Sequence, residues 1–516
     1  MPAAARLTLP DRLPTLANAS FALGLIVLGV RLALFGYAGS PLPYYDQWLA
    51  EFNNTLLPAT VDGPSFALLF TPHNEHILAT TKLLSLLGVG LNGYWDVPFL
   101  AAIAALVRAI EAVLTFRVLS FAAARGVTVT AWLGCLVVFA TPLSGYNLLS
   151  GLQVSFYLSD LALLGSLLCV ARWQHAGRNG AALALLTLFG LSSMGAAIAI
   201  PAATLATHLA SPRHRPGFWT AWILSATAAG AYALWAGAGV GIRTAGLPLA
   251  ERAAFLLQLL GWPSGNVLWG AAILFGVIAG VLWLWRTQRR AAAALPLGLA
   301  TYAAANLAML AWRRPPSDFH ARHFEIAALL PLGVMVLAAS LAYVTSPSAP
   351  DSTAPATSHP SPGTAPHRAS RRLLVPLAAL YLCALVSVWL NAGTYLVAAH
   401  AHRAEAVAHY RALLTSPRMQ QARVEMNERL RALDYRFFDD PILRFTPHPT
   451  VYGNILVRPL SALALLAPEI LPSRPPSVTS RVVRVAFAAG PWLAVLGALL
   501  AAAVALKSPA RRPLAP

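Results

Sequence analysis

What most limits this chain is the recurrence of nearly uncharged apolar runs about twenty residues long, punctuated by small clusters of arginines. At 1.5 Å per residue, a run of that length crosses the roughly 30 Å hydrocarbon core of a bilayer as a helix. Only 11% of the residues are charged, against roughly 25% in a soluble domain. The expected fold is an all-α polytopic membrane protein with about twelve transmembrane helices. A membrane β-barrel would show alternating segments of about ten residues instead.

Spans are expected near 19–39, 97–116, 128–144, 147–171, 180–192, 194–210, 218–238, 267–286, 292–312, 323–344, 373–395 and 485–506. The pair at 180–210 reads as a hairpin turning at Ser192-Ser193-Met194-Gly195. The first run could be taken for a signal peptide, but it is long and lacks a small-residue cleavage site, so an uncleaved helix is expected. Basic residues pair up at Arg117/Arg125, Arg172/Arg178, Arg213/Arg215, Arg286/Arg289/Arg290, Arg371/Arg372 and Arg511/Arg512. Twelve crossings from a cytoplasmic amino terminus put all of these on the cytoplasmic side, as the positive-inside rule requires. The net charge of +18 therefore reports membrane orientation, and no nucleic-acid partner is expected. Cys135, Cys169 and Cys383 all lie inside apolar runs, which indicates neither a disulfide framework nor a cysteine metal site.

This count divides the chain into a core of residues 1–344 with a large outward loop at 40–96, a linker at 345–372, and a two-span module at 373–516 whose region 396–484 faces outward. The linker is rich in Pro, Ser, Thr and Ala, a composition that reads as a disordered cytoplasmic segment. No internal repeat is evident, which counts against an inverted-repeat transporter.

Polar chemistry gathers on the outward side. Asp46 stands a few residues past the first span, at the headgroup boundary, where a carboxylate could act as general base toward an acceptor hydroxyl. The structural alternative is a helix cap for the QWLAEF turn. Downstream, Thr71-Pro72-His73-Asn74-Glu75-His76 precedes an amphipathic segment, 77–92, that contains Lys82 and is expected to lie along the membrane surface. Thr71 and Pro72 suit a helix start. His73 and His76, placed on one helical face with Glu75, could bind a divalent cation, although the HExxH spacing of zinc proteases is absent. The same four residues, His73, Asn74, Glu75 and His76, could instead hydrogen-bond a sugar or phosphate. The short outward loop at 313–322 carries Arg313, Arg314 and Arg322 beside His320, against the charge rule. Guanidinium forks suit phosphate, and headgroup anchoring is the plainer alternative. Arg243 and Arg252 are weaker candidates of the same kind. Within the spans, Gln153 could line a cavity, Arg31 is expected to snorkel toward the headgroups, and Asp160 is expected to pair with Arg31 or Arg108.

Asp46 with Trp48, the string His73-Asn74-Glu75-His76, Gln153 on a later span, and Arg322-His323-Phe324 together resemble a bacterial branch of the GT-C superfamily of membrane glycosyltransferases. Ile77 and Ala321 depart from that pattern, which often has Arg and Ser there. The resemblance covers roughly residues 1–345. It implies a GT-C-like fold in the bacterial inner membrane and a polyprenyl-phosphate sugar as donor. Transfer would go to a glycan or lipid acceptor of the cell envelope, with the active site facing the periplasm. In that scheme Asp46 takes the acceptor proton, polyprenyl phosphate departs toward Arg322 and its neighbours Arg314 and His320, and the anomeric centre inverts. Some members of the superfamily use a divalent cation, for which His73, Glu75 and His76 would be the ligands here. A transporter or lipid flippase, and a non-catalytic polysaccharide assembly protein docking through 396–484, remain open alternatives.

Overall fold

In the computed structural model, residues 13–344 are described apart from 45, 75, 122, 124, 174–175, 212–214, 238–246, 288–292 and 317–322, followed by 366–415, 465–467, 470 and 475–507. The described residues are helical, with no strand among them. The long helices are α1 (Leu13–Ala38), α5 (Val97–Leu119), α6 (Arg125–Ala140), α8 (Val154–Ala171), α9 (Ala176–Ser193), α10 (Ile200–Leu209), α11 (Phe218–Gly237), α13 (Val267–Thr287), α14 (Ala294–Arg313), α16 (Leu329–Val344), α17 (Pro366–Thr415) and α18 (Val478–Lys507). Further helices fill the connections: α2 (Leu57–Val61), α3 (Phe66–Phe70), α4 (Ala79–Asn92), α7 (Gly145–Leu149), α12 (Leu249–Leu260) and α15 (Phe324–Ala327).

Among the described residues, six helices are long and apolar enough to cross a membrane: Thr15–Ala38, Val97–Leu119, Gly151–Ala171, Ala294–Arg313, Cys383–Ala408 and Val478–Leu506. Shorter apolar helices lie at Gly126–Ala140, Gly195–Leu209, Val267–Ala279 and Phe324–Ser340. This is a multi-pass helical membrane protein. Its surface fits that setting: Phe275, Leu234, Trp492 and Leu499 are largely exposed, which in water would be a liability and in lipid is the expected outer face. Helix α18 closes on α1 through small residues. A Cβ added to Gly29 or Gly490 would strike the partner backbone, and such close approach is how helices associate where lipid removes the hydrophobic incentive.

Charges inside the bundle are paired. The Arg31 guanidinium meets Glu325 at 2.5 Å and donates to the Tyr157 hydroxyl at 3.0 Å. Arg108 bonds both carboxylate oxygens of Glu111 at 2.7 and 2.8 Å and lies over the Phe139 ring at 4.3 Å. Asp160 accepts from the Tyr302 hydroxyl at 2.9 Å. These contacts correct two expectations. Arg31 does not snorkel: it is 4% exposed and ion-paired. Asp160 hydrogen-bonds a tyrosine and feels the Arg108 charge without a direct ion pair, while Glu325 and Glu111 take the direct contacts to the two arginines.

In the outward loop, α4 is amphipathic as expected, but inverted. Leu83, Leu87 and Leu91 form an exposed stripe, while Thr81, Lys82 and Ser85 are buried. That orientation suits a helix lying on lipid with its polar face toward protein. In the C-terminal module, α17 continues without a break from the span into the segment from His400. Residues 345–365 of the linker, and 416–464 of the outward region, lie outside the described residues.

Removing one partner of a buried ion pair strands the other charge, typically at a cost of about 3–5 kcal/mol. Arg31→Met or Glu325→Leu alone should lower the Tm of the detergent-solubilised protein, and the double replacement should recover most of the loss. Single variants that melt with the wild type would contradict the pairing.

Candidate functional site

The chain leaves α1 and turns back through Tyr44 to Asp46. Asp46 and Gln47 run helically into a π-helix at Trp48–Leu56, a form that needs side-chain support to persist. Tyr44 N donates to Gln47 Oε1 at 2.9 Å, and Gln47 Nε2 donates to Glu51 Oε1 at 2.9 Å. The other Glu51 oxygen accepts from Ser85 Oγ at 2.8 Å and from Trp95 Nε1 at 3.2 Å. Phe52 and Trp95 stack beside this carboxyl and Trp48 meets both edge-on, with ring centroids 5.4 to 5.7 Å apart. Burial raises the Glu51 carboxyl to about 7, although the bonds from Gln47, Ser85 and Trp95 oppose the shift. Asp46 itself accepts from the Tyr146 hydroxyl at 3.1 Å, and Tyr146 is held edge-on to Tyr44.

The His73–His76 segment is a tight turn, not a helix start. His73 N donates to His76 O at 2.8 Å, and His76 N returns the bond to His73 O at 3.0 Å. Asn74 sits at the tip with φ +52°, a left-handed geometry that asparagine tolerates better than most residues. Thr71 therefore ends α3, and the two histidines do not share a helical face. Lys82, buried in α4, donates to Leu68 O at 3.0 Å and Thr71 O at 2.6 Å, which pins the lead-in to the turn. Its burial lowers the ammonium to about 8. The far side of the turn is tied to the bundle, since Ile77 N donates to the Tyr232 hydroxyl at 2.9 Å. There Gly195 comes so near His76 that an added Cβ would lie 2.6 Å from Nδ1. This glycine opens a 3-10 helix, Gly195–Ala199, between α9 and α10, so the expected hairpin turn doubles as a wall of the site.

These pieces enclose two adjoining cavities. The smaller, about 50 Å³, is polar, and Asp46, His73, Asn74, His76, Gln153 and Arg314 lie on its walls. The larger, about 120 Å³, is apolar along Leu307, Met309 and Leu310 and ends at Arg313 and Arg314. His76, His323 and Arg314 border both. The structure thus brings Asp46, His73, Asn74, His76, Gln153 and Arg314 together. Glu75, His320, Arg322 and Arg243 lie outside the described residues. Arg252 sits 4.7 Å over the Trp312 ring and is absent from both cavity walls. Among the described residues no three His, Cys, Asp or Glu side chains gather as a cation site. The two histidines also attend to different neighbours, His73 Nε2 to the Asn74 amide at 3.3 Å and His76 to Gly195.

Sequence reasoning missed Tyr146, Glu51, Met194 and Tyr232 as parts of the site. A carboxylate, a guanidinium and imidazoles on the wall of one cavity, beside an apolar one, supply the groups needed to accept a proton from a hydroxyl and to hold an anionic group with an apolar tail.

Because the folded-state pKa of Glu51 is raised, its contribution to stability is present below about 4.5 and is lost as pH rises through about 7. Glu51→Gln, permanently neutral, should gain on the wild type across that window by roughly 3 kcal/mol, read from Tm against pH. Parallel profiles would contradict a buried, raised carboxyl at this position. No family model, curated protein or solved structure matches the chain, so the site's own geometry carries the functional reading.

Proposed function

We propose that the chain is a membrane glycosyltransferase that moves a sugar from a polyprenyl-phosphate donor to a cell-envelope glycan or lipid. The observation that carries this reading is that Asp46 and Arg314, far apart in sequence, line one cavity that adjoins an apolar one. The Asp46 carboxylate takes the proton of the acceptor hydroxyl. The freed oxygen attacks the anomeric carbon, and the bond from that carbon to the phosphate oxygen breaks. Polyprenyl phosphate leaves as an anion toward Arg314 and Arg313, whose fixed charges stabilise it as it forms. Its isoprenoid chain would follow the apolar wall of Met309 and Leu310. A single displacement of this kind inverts the anomeric centre.

The proposal takes the full count of twelve crossings and a GT-C-like arrangement, and it sets the protein in a bacterial inner membrane. On that count the ends of α1, α9 and α14, together with the start of α7, all emerge on the periplasmic side, where the cavities open. A transporter or flippase would need a polar route onward through the bundle, whereas the charges beneath the cavity are engaged with one another.

The test is sugar transfer by the full-length protein in nanodiscs, with product followed by mass analysis of lipid-linked glycans. Asp46→Asn should lower turnover by about 10²–10⁴-fold while donor affinity stays near that of the wild type. Arg314→Ala should weaken donor binding by about tenfold or more. Transfer by Asp46→Asn at the wild-type rate would remove the assigned base, and unchanged donor affinity in Arg314→Ala would remove the phosphate site.

A further inference from the structure

Asp46 sits in a stretch of chain that is closed twice. Gln47 N donates to Tyr44 O at 3.0 Å, and Tyr44 N donates back to Gln47 Oε1 at 2.9 Å. The second bond turns the Gln47 amide oxygen toward Tyr44, which sends the amide nitrogen the other way, where it needs an acceptor. Glu51 Oε1 is that acceptor, at 2.9 Å. Gln47 and Glu51 are both 0% exposed, so water does not stand in for either. Without an acceptor at position 51 the amide nitrogen would be left unpaired, or the amide would flip and strand Tyr44 N instead.

The other Glu51 oxygen is anchored outside this segment, to Ser85 of α4 at 2.8 Å and to Trp95 ahead of α5 at 3.2 Å. Glu51 thus ties the Asp46 turn to two elements that flank it, while standing on neither cavity wall itself. An apolar side chain would fill the same space without the desolvation cost that has pushed this carboxyl up to about 7. What the carboxyl holds accounts for its presence. The Tyr146 hydroxyl restrains the Asp46 carboxylate at 3.1 Å, and the Gln47–Glu51 chain restrains the backbone that carries it. Resting on the transferase reading, we infer that Glu51 is a positioning residue, which acts through Gln47 to hold Asp46 where it meets the acceptor hydroxyl. Its bond to Gln47 counts because a small misplacement of a catalytic group is costly in rate.

The experiment is a double-mutant cycle on the full-length protein in nanodiscs. Farnesyl phosphates carrying glucose, galactose, mannose or arabinose are the donors, and an envelope lipid and glycan extract supplies the acceptor. Release of farnesyl phosphate gives turnover, and donor binding is measured separately. Glu51→Leu should lower kcat by about tenfold or more while donor affinity stays within about twofold of the wild type. Glu51→Gln, which keeps an oxygen for Gln47, should recover most of that loss. Gln47→Leu should lose as much as Glu51→Leu, and the double variant no more than either, because both break one chain of bonds. The Tm of each variant ensures that folded proteins are compared, and Gln47→Leu carries the comparison if Glu51→Leu does not fold. Additive losses, an equal fall in kcat and donor affinity, no rescue by Glu51→Gln, or wild-type turnover in Glu51→Leu would each overturn the assignment while leaving the transferase reading in place. If the wild type releases farnesyl phosphate from none of the four donors, both fall.

Discussion

An ionisable side chain in a low-dielectric slab must find a counter-charge or leave, and the Arg31–Glu325 pair is where this fold answers that demand. The pair joins the first helix to the head of a late one, across most of the core sequence. Glu325 stands two residues after His323, which borders both cavities, and Tyr157, the second partner of Arg31, follows Phe156, which lines both as well. The contact that neutralises the bundle interior therefore also sets the cavity wall. Arg108 with Glu111, and Asp160 with Tyr302, lie near the same point. Each arginine of the interior thereby has its own carboxylate, and the polar groups at the helix ends line the cavities.

The opposite wall is built differently. Asp46 hangs on a π-helix whose neighbour Gln47 is tethered to a buried carboxyl, and the His73–His76 turn is gripped from both flanks by Lys82 and Tyr232. Loops that carry chemistry are usually mobile, so holding them against rigid elements limits the entropy lost when a ligand arrives. Lysine at position 82 fits this picture: in a chain whose other cations are nearly all arginines, a compact ammonium is what two converging carbonyls accommodate.

Much of this was legible in the sequence, because hydropathy is a strong signal and charge is scarce. Helices were placed at the expected spans, and Asp46, Arg314 and the HNEH string stood out against an almost uncharged background. The turn at His73–His76 was misread as a helix start because Thr-Pro favours one locally, whereas the left-handed tolerance of Asn74 decided the outcome. Glu51 and Glu325 were within reach of the sequence: the chain has only 19 acidic residues, and a carboxylate beside an apolar run must find a partner. Glu325 is the partner that Arg31 takes in place of the headgroups, and Glu111 the one that bonds Arg108 directly. Tyr146 and Tyr232 were out of reach, since nothing local distinguishes them, and Gly195 was legible only as a turn residue; the packing of distant helices gives all three their place in the site.

The most direct measurement is an experimental structure of the protein in nanodiscs with undecaprenyl phosphate added. The account predicts the phosphate against Arg314 and His323, with the first isoprene units along Met309 and Leu310, on the same side of the membrane as Asp46. A phosphate bound at the opposite leaflet, or a lipid chain that avoids the apolar cavity, would contradict it.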